Sequence, residues 1–120
     1  MRNPPLIGIV GVCAAGKSTL ITGLTREGFF CRHIAQEHSY VPDMWKQLAN
    51  PDILVYLDVS YESTLQRKDL NWSFAEFEQQ RFRLCDARKN AQIVVPTDFL
   101  SPEEVLSLVV SKINDLTRKS

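Results

Sequence analysis

Gly11-Val-Cys-Ala-Ala-Gly16-Lys17-Ser18-Thr19 places two glycines, a lysine and two hydroxyls within one short stretch. Glycines at this spacing let successive backbone N–H groups turn inward around an anion, and a helix starting at the lysine adds partial positive charge at the same point. The residues match the Gly-x4-Gly-Lys-Ser pattern of a phosphate-binding loop in full. In that chemistry the backbone around Gly11, Ala14, Ala15 and Gly16 cradles a triphosphate. Lys17 reaches the β- and γ-phosphates, Ser18 ligates Mg²⁺ and Thr19 reaches the α-phosphate, so the expected ligand is Mg-ATP. Many such loops carry a third glycine where Ala14 stands, and alanine resists positive φ, so a variant turn is expected. Cys13 lies inside the loop and is expected to fill space.

The loop works only between a strand and a helix, and the flanking sequence supplies both. Leu6 to Val10 is a short apolar run after Pro4 and Pro5, suited to a buried strand. Lys17 to Glu27 has helical periodicity, with Leu20, Ile21 and Leu24 on one face and Gly28 as its stop. Phe29 to Ala35 is a less regular second strand. The interval 36–50 is expected to hold a loop and one short helix, with Asp43 as its cap and Pro51 forcing its end. Ile53 to Val59, apolar almost throughout, suits a strand covered on both faces.

Ser60 is expected to cap a helix to about Lys68, and Ser73-Phe-Ala-Glu76 is a capping box opening one helix to about Asn90. Ile93 to Val95 supplies a fourth strand. Ser101-Pro102-Glu103-Glu104 is a second capping box, followed by Val105, Leu106, Val109, Val110, Ile113 and Leu116 at helical spacing. Strand and helix thus alternate, predicting an α/β fold of the three-layer phosphate-loop NTPase type. It is an open parallel sheet of about four strands with helices on both faces and right-handed crossovers.

Composition bounds the class. A chain of 120 residues with 44% hydrophobic content is expected to form one domain over 1–120. Equal acidic and basic counts, 14 each, argue against nucleic acid as a partner. The longest apolar runs fall well short of the roughly 20 residues that cross a bilayer, and no signal pattern opens the chain, so a cytoplasmic protein without a membrane partner is expected. Cys13, Cys31 and Cys85 form no Cys-x-x-Cys pair and are expected to be small buried fillers. His33 and His38 lack metal-ligand spacing. Neither an Asn-Lys-x-Asp nor an Asp-x-x-Gly motif occurs, which disfavours a GTP switch.

Beyond Pro51, "PDILVYLDVSYESTLQRKD", "FAEFEQQRFRLCDARKN", "IVVPTD" and "SPEEVLSLVVSKI" resemble the C-terminal half of the nucleoside and nucleoside-monophosphate kinase superfamily, thymidylate kinases in particular. The resemblance implies a phosphotransferase that moves the ATP γ-phosphoryl group to a small-molecule acceptor. It also implies lid arginines that neutralise charge in transfer, with Arg67 where the family places the first. Arg81 and Arg88, about two helical turns apart, share a face and could add to the clamp.

The chain departs from that family between its second strand and Pro51, where the monophosphate-binding segment and a further strand are missing. With that strand gone the second strand closes up beside the first, giving the order 2-1-3-4 and setting Glu37 next to the loop. Glu37 is then the leading candidate for general base or for holding Mg²⁺ through water, with Asp58 at the end of the third strand as its rival. His38, Tyr40 and Trp45 could wall an acceptor pocket. Trp72, Phe74 and Phe77 are expected to pack the lid helix onto the sheet. Two alternatives stand beside the kinase: a shortened relative that binds nucleotide without turnover, as a sensor, and a homodimer that completes the site across an interface.

Overall fold

A computed structural model describes residues 1–67 and 71–118. Four strands, β1 (Leu6–Gly11), β2 (Phe30–His33), β3 (Ile53–Asp58) and β4 (Ile93–Pro96), form one parallel sheet in the order β2-β1-β3-β4. The register aligns Leu6 with Phe30, Ile7 with Ile53 and Val55 with Ile93. The central pair β1 and β3 is buried almost throughout, as expected for strands covered on both faces, whereas β2 is an edge strand with mostly exposed side chains.

Among the described residues six helices accompany the sheet: α1 (Lys17–Arg26), α2 (Met44–Leu48), α3 (Tyr61–Arg67), α4 (Phe74–Arg83), α5 (Cys85–Asn90) and α6 (Pro102–Arg118). A 3-10 turn spans Gln36–His38. The crossover from β1 to β2 steps one way along the sheet, and those from β2 to β3 and from β3 to β4 step the other way. Right-handed connections therefore put α1 on one face and α2 to α5 on the opposite face. The contacts agree. α6 packs on α1 and β4, while on the other side Trp45 Nε1 of α2 donates to Asp86 Oδ2 of α5 at 2.9 Å.

Local chemistry sets the helix ends. Both capping boxes are formed: Ser73 accepts from Glu76 N–H and Ser101 from Glu104 N–H, each at 3.1 Å, with the two glutamates reaching back to the cap N–H groups. Ser60 Oγ accepts from Ser63 N–H at 3.2 Å and opens α3; Lys68, the expected end of that helix, lies outside the described residues. Gly28, at φ 93°, closes the turn after α1. The α6 face buries Val105, Val109 and Ile113, with Leu106, Val110 and Leu116 partly covered.

Four expectations need correction. The helix expected from Ser73 to Asn90 is broken at Leu84, whose backbone (φ −94°, ψ −2°) opens the ladder between α4 and α5 while its side chain is fully buried. Asp43 starts α2 without capping it, because its Oδ1 accepts instead from Gln47 Nε2 at 2.8 Å. The cysteines are not buried fillers. Cys85 is exposed on α5, and Cys13 in the loop and Cys31 on the edge strand are half-buried. Trp45 is core, 8% exposed and tied to Asp86, while Tyr40 is 86% exposed with the Arg83 guanidinium 4.5 Å from its ring centroid, so the two do not wall one pocket.

Candidate functional site

The strand β1 ends at Gly11, where a Cβ would stand 3.0 Å from the carbonyl oxygen of Leu57 on β3. Glycine is favoured there by a close neighbour. At Gly16 it is favoured by the backbone itself, since the residue sits at φ 101° as the N-cap of α1. No side chain caps this helix, so none takes up its first-turn N–H groups, which have no partner within the helix. Ala14 takes φ 67°, the left-handed conformation of a third glycine, so the alanine does not divert the turn at this residue but bears its strain.

Lys17 is the first residue of α1, and its side chain is 7% exposed. Its ammonium donates to the carbonyls of Gly11 (2.6 Å) and Val12 (3.1 Å) and to Glu37 Oε2 (2.8 Å). Glu37 sits in the 3-10 turn that follows β2, its side chain 4% exposed. The strand order brings the C-terminal ends of β1 and β2 side by side, and this places the carboxylate on the lysine. Two buried charges in contact satisfy each other only in part. Glu37 Oε1 is buried and has no hydrogen-bond partner among the described residues.

Two further residues hold this arrangement. Arg83 Nη1 of α4 donates to the carbonyl of Glu37 at 3.2 Å. Gln80, 8% exposed on the same helix, clamps the loop at Cys13, accepting from its N–H through Oε1 at 2.9 Å and donating to Sγ through Nε2 at 3.3 Å. His38 follows Glu37 with its ring mostly exposed and Nε2 3.8 Å from Glu37 Oε2.

On the other side of the loop, Arg67 of α3 leans over Ala14 and Ala15. Its guanidinium donates to their carbonyls at 3.4 Å, to Thr97 Oγ1 at 3.0 Å and to the Thr97 carbonyl. A cavity of about 370 Å³ opens between the loop, Arg67 and the start of α6, with Thr97, Leu100 and Val105 as its far wall. Ser18 and Thr19 are exposed at the helix start.

Asp58 and the two later arginines lie elsewhere. Asp58 ends β3, pairs with Arg88 at 3.7 Å and lines a separate cavity of about 350 Å³ with Tyr61, Arg81 and Asp98. Arg81 pairs with Glu78 and lies over Phe77, and Arg88 lies over Tyr56. Burial of the Tyr56 ring and the Asp58 charge beside it push its hydroxyl above the usual tyrosine range. Of the two candidate acids, Glu37 is the one in contact with Lys17. Trp72 and Phe77 meet edge to face with Tyr61 beside them, and Phe77 is buried whereas Phe74 remains half exposed.

Sequence reasoning missed Gln80, Thr97 and Arg83. Thr97 had a signal in its place just past β4, at the carboxyl end of the sheet where ligands collect. Gln80 and Arg83 had none, because their contacts with the loop and the turn span long stretches of chain. No protein-family model matches this chain, and no curated protein matches it.

Proposed function

We propose that this protein binds Mg-ATP in a P-loop formed by Gly11 to Thr19 and transfers the γ-phosphoryl group to a small-molecule acceptor. The observation that carries the reading is the pairing of a left-handed, uncapped helix start at Gly16 with a buried Lys17 held by Glu37 at 2.8 Å. Uncapped N–H groups, a helix N-terminus and a fixed ammonium together make an anion site.

The residues present fit the ligands. The loop N–H groups and Lys17 would hold the phosphates, and the exposed hydroxyl of Ser18 would take Mg²⁺, which supplies charge neutralisation between β- and γ-oxygens. The cavity beside Arg67 has a volume suited to a flat heterocycle, with apolar Leu100 and Val105 on one side and a planar guanidinium on the other. Arg67 would stabilise charge on the polyphosphate. Glu37 has one carboxylate oxygen on Lys17 and one free, so it would accept the acceptor's proton or orient a Mg²⁺-bound water.

A coupled assay over nucleosides, nucleoside monophosphates and small alcohols tests the transfer. ADP release dependent on one acceptor class, and reduced at least about a hundredfold in Glu37→Gln, is expected. Nucleotide binding without transfer to any acceptor would replace the kinase with a sensor. That second reading draws on the chain between β2 and β3, which holds only the 3-10 turn and α2 and sends Trp45 into the core.

A further inference from the structure

Cys13 and Glu37 come from different loops, yet the ligating atoms of Cys13, Glu37 and His38 lie within 4.8 Å of one another. The cluster brings together a thiol, a carboxylate and an imidazole. Tetrahedral coordination at about 2.0–2.3 Å sets ligand atoms roughly 3.5 Å apart, so the more widely spaced of these atoms would draw together by about 1 Å.

The strongest sign of a missing partner is Glu37 itself. Its side chain is 4% exposed, Lys17 occupies Oε2, and Oε1 has no hydrogen-bond partner among the described residues. A buried carboxylate oxygen left unpartnered carries a desolvation cost that a bound cation would remove. The supporting contacts resemble an outer shell: Gln80 Nε2 orients Cys13 Sγ, and Arg83 Nη1 fixes the turn through the Glu37 carbonyl. His38, with 60% of its side chain exposed, leaves a path to solvent.

We propose that Cys13, Glu37 and His38 bind a divalent transition cation of the zinc class, with a fourth position open to water or an anion. Thiolate and imidazole select such an ion over Mg²⁺, which prefers oxygen donors. On ligation Cys13 releases its proton to solvent. The thiolate and carboxylate then offset the added charge beside the Lys17 ammonium. The site shares Glu37 and the loop with the nucleotide reading but requires no nucleotide, so it is tested with metal alone.

The experiment titrates Co²⁺ into the chelator-treated protein and follows the near-ultraviolet band of thiolate-to-cobalt charge transfer. One equivalent of Co²⁺ is expected to saturate the band, Zn²⁺ to abolish it, and millimolar Mg²⁺ to leave it unchanged. Cys13→Ser should lose the band and Cys85→Ser should keep it. His38→Ala, a change at an exposed side chain, should weaken Co²⁺ binding about tenfold or more. A band absent from the wild-type protein, undiminished in Cys13→Ser, or unaltered in strength and affinity in His38→Ala would overturn the assignment.

Discussion

At the residue scale, the loop keeps one strained position and one buried ion pair, and each has a measurable cost. Ala14 at φ 67° bears a left-handed conformation that glycine takes freely, worth about 1 kcal/mol. Ala14→Gly should therefore raise the stability measured by urea unfolding by about that amount; a loss of stability would contradict the strain. Lys17 and Glu37 hold each other away from water at 2.8 Å. Removing one partner leaves a bare buried charge, so Lys17→Met alone should cost about 3 kcal/mol or more. In a double-mutant cycle, Lys17→Met with Glu37→Gln should be more stable than the sum of the single changes predicts, and simple additivity would mean that the pair does not interact. The glycines and Lys17 were legible because their chemistry is local to one stretch of sequence. The meeting of Lys17 with Glu37 followed from the strand order. The gathering of Cys13, Gln80 and His38 could not be read, since each comes from a different part of the chain and no spacing rule connects them.

At the element scale, helix ends explain most of what the sequence announced. Ser101 opens α6, whose buried stripe of Val105, Val109 and Ile113 covers the sheet beside the cavity, and both halves of its capping box are in place. Ser101→Ala should lower stability by about 1 kcal/mol in denaturant unfolding. Asp98, between β4 and α6, accepts from Ser60 N–H at 2.9 Å and so ties the start of α3 to the end of β4. Partial burial works against its charge. The hydrogen bonds from Ser60 N–H and from the Ser60 and Ser63 hydroxyls, with Arg67 nearby, outweigh burial and hold the carboxyl below its ordinary 3.8. A depressed folded value means this contribution is complete above the unfolded value and fades as pH falls through the folded one. The loss of stability between pH 5 and pH 3 should thus be smaller in Asp98→Asn than in the wild type, and equal losses would rule out this role for the carboxylate. Breaks inside elements were harder to foresee. Leu84 has ordinary helical propensity, and its departure from helical ψ accompanies complete burial, a demand of tertiary packing that a local pattern does not encode.

At the scale of the whole molecule, the alternation of strands and helices predicted a parallel α/β sheet, and the order β2-β1-β3-β4 has the predicted arrangement. That order sets the site. Crossovers leave β1 and β3 in opposite directions, and at their carboxyl ends the loop after β1 meets Arg67 on α3 from one side and Glu37 after β2 from the other. Among the described residues no helix is long and apolar enough to cross a membrane. The central claim is that this convergence holds a triphosphate, and isothermal titration calorimetry of the folded protein with Mg-ATP and Mg-GTP tests it most directly. Saturable one-site binding of at least one of the two at submillimolar concentration is the predicted result. Folded protein that takes up neither nucleotide at millimolar concentration would contradict it.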